Sequence, residues 1–393
     1  MTTISAIESI ESRQIAVPTG RNPAIDRART FLTIVVLIHH AVIPYTYFGH
    51  TDRTMFIGFD AIVLANDSYF MAMFFFLSGL FVWPSLKHRT VKGEFTRDRM
   101  LRLGLPFVVC ALTVIPIAYY ALEPRDSTEA FTAFWWRTVS VGPWPSGPVW
   151  FTWVLLVFGL VAGAVFWRAP QVVEPINRLS QRGFARPLDF FLVFVAVTIL
   201  VYVPARLYLG PNHWFAAGPV AVQASRVLLY ATYFAFGIGV GASNMSAGLI
   251  SADGALPKQW LAWSLAAFLP YAAMWGLIAI KREVLGNPPN LPLWYEFFYG
   301  VAFALFSAAM LFALLAIFLR FEAKGSSWLD PMQRDAYGIF LVHYAFVLWI
   351  QHWLFDFNLP AIAKALIALA GGLALSWIIS AALRQIPGAQ RVL

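Results

Sequence analysis

Cysteine is almost missing from this 393-residue chain, in which Cys110 stands alone. One thiol excludes an intrachain disulfide, a cysteine-based metal site and CxxC redox chemistry. Charge is scarce too. Asp, Glu, Lys and Arg supply 12% of the residues and hydrophobic side chains 60%, whereas a water-soluble domain carries about 25% charged residues. A soluble globular fold is thereby excluded. Internal repeats, low-complexity tracts and long soluble insertions are also lacking. Residues 1–30 have no apolar core of the kind a secretory signal needs, so the first hydrophobic segment is expected to act as an uncleaved anchor.

What fills the chain instead is a series of apolar stretches. At about 20 residues per crossing, spans are expected near 31–48, 68–86, 101–122, 148–167, 188–204, 220–242, 259–280, 295–319, 336–354 and 360–383. The stretch 56–64 is apolar but short, and reads as a re-entrant or interfacial piece. Lys and Arg collect in alternate connections: Arg13, Arg21, Arg27 and Arg29; six between Lys87 and Arg102; Arg168, Arg178, Arg182 and Arg186; Lys258; Arg320, Lys324 and Arg334; Arg384 and Arg391. Because basic residues are retained on the cytoplasmic side, the fold class is an all-α integral membrane protein of about ten transmembrane helices, N-terminus and C-terminus both inside. The expected division is a cytoplasmic segment 1–30, a membrane domain 31–384 and a cytoplasmic tail 385–393. The net charge of +8 is accounted for by this bias, and no nucleic-acid partner is expected. The lipid bilayer is the partner that composition demands.

Ionisable groups inside these spans are costly and point to function. In the first span Arg29 and His40 are eleven residues apart, three helical turns within about 20°, so they share one face about 16 Å apart along the axis. Asp26 lies within about 40° of His40, whereas His39 points some 80° away from Arg29. A neutral histidine can take a proton from a hydroxyl or carry an acyl group, and an arginine offers a fixed fork to phosphate. Together they suit a phosphorylated cytoplasmic donor whose reactive end reaches into the bilayer; the alternative is that both histidines only hydrogen-bond between helices. Two further segments stand out: Phe74-Phe75-Phe76-Leu77-Ser78-Gly79, followed by a basic loop ending in Arg99 and Arg102, and Tyr337-Gly338-Ile339-Phe340-Leu341-Val342-His343. The arginines are either phosphate ligands or topological charge. His352 reads as a structural hydrogen-bonder. Trp135, Trp136, Trp144, Trp150 and Trp153 read as an interfacial aromatic belt, with an acceptor-binding role for some of them as the alternative.

Taken in order, these segments resemble the membrane acyltransferase-3 family. The family pattern of Asp, an Arg three residues on, ten intervening residues and a His is met by Asp26, Arg29 and His40. Its Phe-Phe-x-Leu-Ser-Gly segment is matched at 74–79, its Arg-x-x-Arg-Leu-x-x-Pro by Arg99, Arg102, Leu103 and Pro106, and its Tyr-x-Ile-aromatic-Leu-x-His by Tyr337 to His343. The resemblance covers nearly the whole chain. It implies a multi-pass enzyme, expected in a bacterial cytoplasmic (inner) membrane, that moves an acyl group from acyl-CoA to a hydroxyl of an extracytoplasmic, carbohydrate-like acceptor. It further implies His40 as catalytic residue, Asp26, Arg29, Arg99, Arg102 and His343 as binding residues, and no metal. The fourth span reads Gly147-Pro148-Val149-Trp150-Phe151-Thr152-Trp153-Val154, without the acid many members carry there, and is more like the branch of glucan-modifying succinyltransferase-like proteins. Asp60, Asp67 and Glu296 remain as candidates to assist His40. The rival reading is a secondary transporter or exporter, although no two halves of the chain mirror each other as such folds commonly do.

Overall fold

The computed structural model describes residues 22–392 apart from 90, 146 and 244. Most of the expected N-terminal segment, with Arg13 and Arg21, lies outside the described residues. The elements run α1 (Pro23–Val42), α2 (Ile57–Gly79), α3 (Val82–Lys87), α4 (Lys92–Arg99), α5 (Leu105–Leu112), α6 (Val114–Tyr120), α7 (Phe131–Ser140), α8 (Trp150–Arg168), α9 (Glu174–Arg182) and α10 (Pro187–Leu209). A hairpin of β1 (Trp214–Ala217) and β2 (Val220–Gln223) follows, then α11 (Val227–Ala242), α12 (Ala255–Lys258), α13 (Trp260–Ala279), α14 (Leu293–Phe321), α15 (Ala336–Leu354) and α16 (Ala361–Leu383). Helices dominate because lipid offers no partner to a backbone N–H or C=O, and a helix satisfies both internally.

Among the described residues nine helices are long and apolar enough to cross a bilayer. The expected ninth span, α15, is not among them, since His343, Gln351 and His352 lower its apolarity. It nonetheless runs between the same two faces as its neighbours: Tyr337 Oη donates to the Arg102 carbonyl at one end (2.7 Å), and His352 Nδ1 meets the Ala121 carbonyl at the other (2.7 Å). The protein is an all-α multi-pass membrane protein. Its two faces are defined by the loop pairings. On the face where α1 begins, Arg27 binds Asp330 (2.7 Å) and Arg384 approaches Asp335 (3.6 Å). On the opposite, distal face, Lys364 binds Asp52 (3.0 Å), Arg206 binds Glu296 (2.6 Å) and Arg125 binds Asp356 (2.5 Å). α2 and α14 sit innermost, with 78% of their apolar windows buried, against 17% for α13 at the rim.

Three boundaries differ from the sequence expectation. α1 starts at Pro23, ahead of the apolar run, because the Asn22 side chain accepts from the Ala24 N–H (3.1 Å) and proline occupies the first turn. The stretch 56–64 is not re-entrant but opens α2. The polar Asn66-Asp67-Ser68 step that seemed to end it lies inside the bundle, with Asn66 and Ser68 buried and Asp67 paired to Arg226. The start of the expected span 220–242 is the second strand of the hairpin, so that span begins at Ala224.

α2 packs on α11 through glycines, as close helix approach without a hydrophobic driving force requires. A Cβ on Gly237 would collide with the Phe76 carbonyl oxygen, and one on Gly241 with that of Leu80. Gly241→Ala or Gly237→Ala is therefore expected to cost about 1–3 kcal/mol by overpacking and to lower the thermal midpoint of the detergent-solubilised protein. Gly276→Ala, whose added Cβ meets nothing within 4 Å, is the control and should leave the midpoint unchanged.

Candidate active site

α1 carries candidate groups at both ends. Its anchor is Arg27, buried at 3% exposure, which grips the α14–α15 connection through both Asp330 oxygens (2.7 and 2.8 Å) and the carbonyls of Glu322 and Gly325 (each 2.6 Å). Two residues on, Arg29 is the only exposed side chain of this otherwise buried or half-buried helix. It stands near one end of a helix packed against α2, α14, α15 and α16. Its Cζ lies 5.6 Å from the centre of the Phe81 ring.

Arg99 stands nearby, half-buried, its Cζ 5.0 Å above Phe95, with Gly159 of α8 leaving room for its side chain. Arg29, Arg89 and Arg102 all lie within electrostatic reach of Arg99, and Asp98 is the acid among them. Asp98 already binds Arg89 (2.5 Å). The arginines of the cluster thus outnumber its carboxylates, which leaves it able to take an anion. Arg102 sits in a π-helical turn, Met100–Gly104, of a kind that recurs at functional sites. Asp26 is within electrostatic range of Arg29.

At the distal end of α1 both histidines face a cavity of about 210 Å³. The helical-face argument had turned His39 away, but the cavity wraps around the end of α1. His39 leans on Phe70 of α2 (ring centres 5.0 Å), while His40 packs against His343 (5.4 Å) and Tyr344 (4.8 Å) of α15. His343 is fully buried, and its Nδ1 meets the Phe340 carbonyl at 2.7 Å. A carbonyl only accepts, so Nδ1 carries the proton and Nε2 is left as the lone-pair nitrogen. That Nε2 has no hydrogen-bond partner, nor has Nδ1 of His39.

The structure also separates the three acids. Asp60 accepts the Tyr47 N–H (3.0 Å) and caps the 47–48 turn, and Glu296 is occupied by Arg206. Only Asp67 lines the cavity. It forms a two-pronged pair with Arg226 (2.9 and 2.5 Å) and lies within electrostatic range of His39. Arg226 was legible as a charge inside a span, but its partner is 159 positions away, beyond any local pattern. Of the belt tryptophans, Trp150 lines the cavity, Trp153 donates to the Ala221 carbonyl (3.0 Å), and Trp136 lies exposed on α7. His352 bonds a backbone carbonyl and does not line the cavity.

The sequence-derived residues thus fall into two groups: Asp26, Arg29, Arg99 and Arg102 towards the face where α1 begins, and His40 at the cavity with His343 buried beside it. No curated protein matches the chain. The acyltransferase domain family matches residues 22–381, a stretch that takes in every one of these residues and all the long helices. With its bundle of apolar helices and its two groups of polar side chains at opposite ends of α1, the chain belongs to the acyltransferase-3 family and is a membrane acyltransferase.

Proposed function

We propose that the enzyme takes an acyl group from cytoplasmic acyl-CoA and passes it through the membrane domain to a hydroxyl of an extracytoplasmic, carbohydrate-like acceptor, forming an O-acyl ester. The observation that carries this reading is α1 itself. Its one exposed side chain is an arginine in a cluster where arginines outnumber acids, and eleven residues on, about 16 Å along the axis, His40 faces a cavity at the other end. The face where α1 begins is the cytoplasmic one, because the connections there hold most of the Lys and Arg. Coenzyme A phosphates lie against Arg29, Arg99 and Arg102, with Asp26 orienting Arg29, and the thioester arm follows the face of α1 that Arg29 and His40 share.

In direct transfer, His40 takes the proton of the acceptor hydroxyl as its oxygen attacks the thioester carbonyl. The C–S bond breaks, and the departing thiolate receives that proton. In a relay, the unprotonated imidazole nitrogen attacks the thioester carbonyl and the thiolate leaves, giving an acyl-imidazolium; the acceptor oxygen then attacks the acyl carbon, the C–N bond breaks to restore the neutral imidazole, and the hydroxyl proton released balances the thiolate as CoA thiol. His343 is a positioning residue in both: its ring packs beside that of His40 (5.4 Å between centres), and its Nε2, unpartnered in this structure, is the acceptor that His40 would turn to once substrate enters. Asp67, tied to Arg226, is the acid nearest the histidines. Its pairing with the arginine keeps the cavity neutral overall.

His40→Ala should lower transfer from acyl-CoA by about 10²–10⁴-fold while the protein stays folded and membrane-inserted, and His343→Ala should lower kcat with little change in the KM for acyl-CoA. Mass spectrometry after one turnover without acceptor separates the routes, since a relay leaves the acyl mass on the peptide containing His40.

Arg29→Ala or Arg102→Ala should weaken binding of a non-hydrolysable acyl-CoA analogue by about 1.5–3 kcal/mol through lost charge-assisted bonds, with Lys a partial rescue for want of the planar fork. Titration of the purified variants checks this, and unchanged affinity in both would move the donor elsewhere.

Orientation is checked with single cysteines at Ser127 and Gln390 in a Cys110→Ser background, probed on intact cells by a membrane-impermeant thiol reagent. Ser127→Cys should label and Gln390→Cys should not. The reverse pattern would put Arg29 on the side without acyl-CoA.

A further inference from the structure

The β1–β2 hairpin is the one stretch of sheet among the described residues, and it stands at the distal mouth of the histidine cavity. Its register pairs Trp214 with Gln223, so the two side chains are cross-strand neighbours on one face, and both line the cavity. An isolated two-stranded hairpin is marginal, and this one is fixed from outside. Trp153 of α8 donates to the Ala221 carbonyl, the Ala224 N–H to His213 (2.9 Å), and the Gln223 side-chain amide to the Pro211 carbonyl. The last bond uses the Nε2 donor and leaves Oε1 as an acceptor. Trp214 is 45% exposed, half in the cavity and half at the outer surface.

Behind it the aromatic wall continues inward. Trp214 meets Trp150 edge-on (6.5 Å), Trp150 stacks on Tyr230 (5.5 Å, 28° between planes), and Tyr230 stacks on Phe75. The Asp67–Arg226 pair and the two histidines also line the cavity and give it polar groups without net charge. At about 210 Å³ the cavity is smaller than the ~300–1,000 Å³ of most small-molecule sites. A flat aromatic face beside neutral hydrogen-bonding groups, in a space of this size, matches one pyranose ring with its apolar C–H face and its edge of hydroxyls.

We propose that the hairpin is the acceptor-selecting element: Trp214 and Gln223 close the cavity over a single neutral sugar ring, present one of its hydroxyls to His40, and let any longer acceptor run out over the exposed outer edge of the hairpin. The selection of transfer over hydrolysis rests on the acyl-transfer reading given above. The binding of a ring behind Trp214 does not. A closed mouth also keeps water from the activated acyl group, so the hairpin favours transfer over hydrolysis.

The test separates binding from chemistry. In the full-length protein in nanodiscs, His40→Cys in a Cys110→Ser background places a thiol at the cavity floor, and its alkylation by neutral iodoacetamide is followed with cellobiose, maltose or N-acetylglucosamine present. At least one sugar should slow alkylation. Adding Trp214→Ala should speed the basal reaction and abolish the protection, and Trp214→Phe should retain it. In otherwise wild-type enzyme, Trp214→Ala should raise the KM for the protecting sugar about ten-fold, leave acyl-CoA affinity unchanged and increase acyl-CoA hydrolysis relative to transfer. Protection that survives Trp214→Ala, or protection by none of the three sugars, overturns the proposal. Trp214-dependent protection by a sugar that never receives an acyl group would keep the hairpin site and overturn the acyl-transfer reading instead.

Discussion

The clamp on Arg27 is the contact on which the geometry of both ends of α1 depends. A buried guanidinium is tolerated only when its donors are bonded, and here Nε and both terminal nitrogens reach Asp330 or carbonyls of the α14–α15 connection. Removing one partner of such a pair costs about 3–5 kcal/mol because a charge stays buried without its counter-charge. The clamp therefore fixes both the height and the rotation of α1. Arg29, two residues on, is held facing the basic cluster, and His40, three turns further, is held against α15. A slip by one residue would rotate both by 100°.

The membrane interior makes the unmatched charges informative. Lys364 with Asp52, Arg206 with Glu296 and Arg226 with Asp67 are pairs in the distal half of the bundle, each between elements distant in sequence. They pin the outer loops and the hairpin region around the cavity. The basic cluster has no such one-to-one matching: Arg29, Arg89, Arg99 and Arg102 have Asp98, which is bound to Arg89, and Asp26 beside Arg29. The lone nitrogens of His39 and His343 are likewise buried without partners. Costly groups gathered at the two ends of one helix mark sites.

Much of this was legible in the order of residues. Spans could be read because about 20 apolar residues in a row serve little else than crossing a bilayer, and the Arg29–His40 stripe because helical geometry is rigid. The misreadings have physical causes. Asn66-Asp67-Ser68 looked like a break in the second span because a polar step can be tolerated at depth if it faces protein, and sequence does not say which way it faces. His39 was set aside because a single-helix projection does not show a cavity that curves round the helix end. The hairpin was missed because its short alternation of small and aromatic residues merges with the apolar run that follows.

The sequence by itself determined the solvent in which this protein lives, the helical class, the spacing of Arg29 from His40 along one face, and the family. The first three follow from local periodicity and composition, and the family from the resemblance of its motifs. Only the tertiary structure decided which acid lines the cavity with the histidines, that His343 stands beside His40 from 303 positions away in the chain, and that Trp214 lines that cavity. Those depend on the relative rotation and depth of separate helices, which glycine contacts and buried ion pairs set across the bundle and no short stretch of sequence encodes.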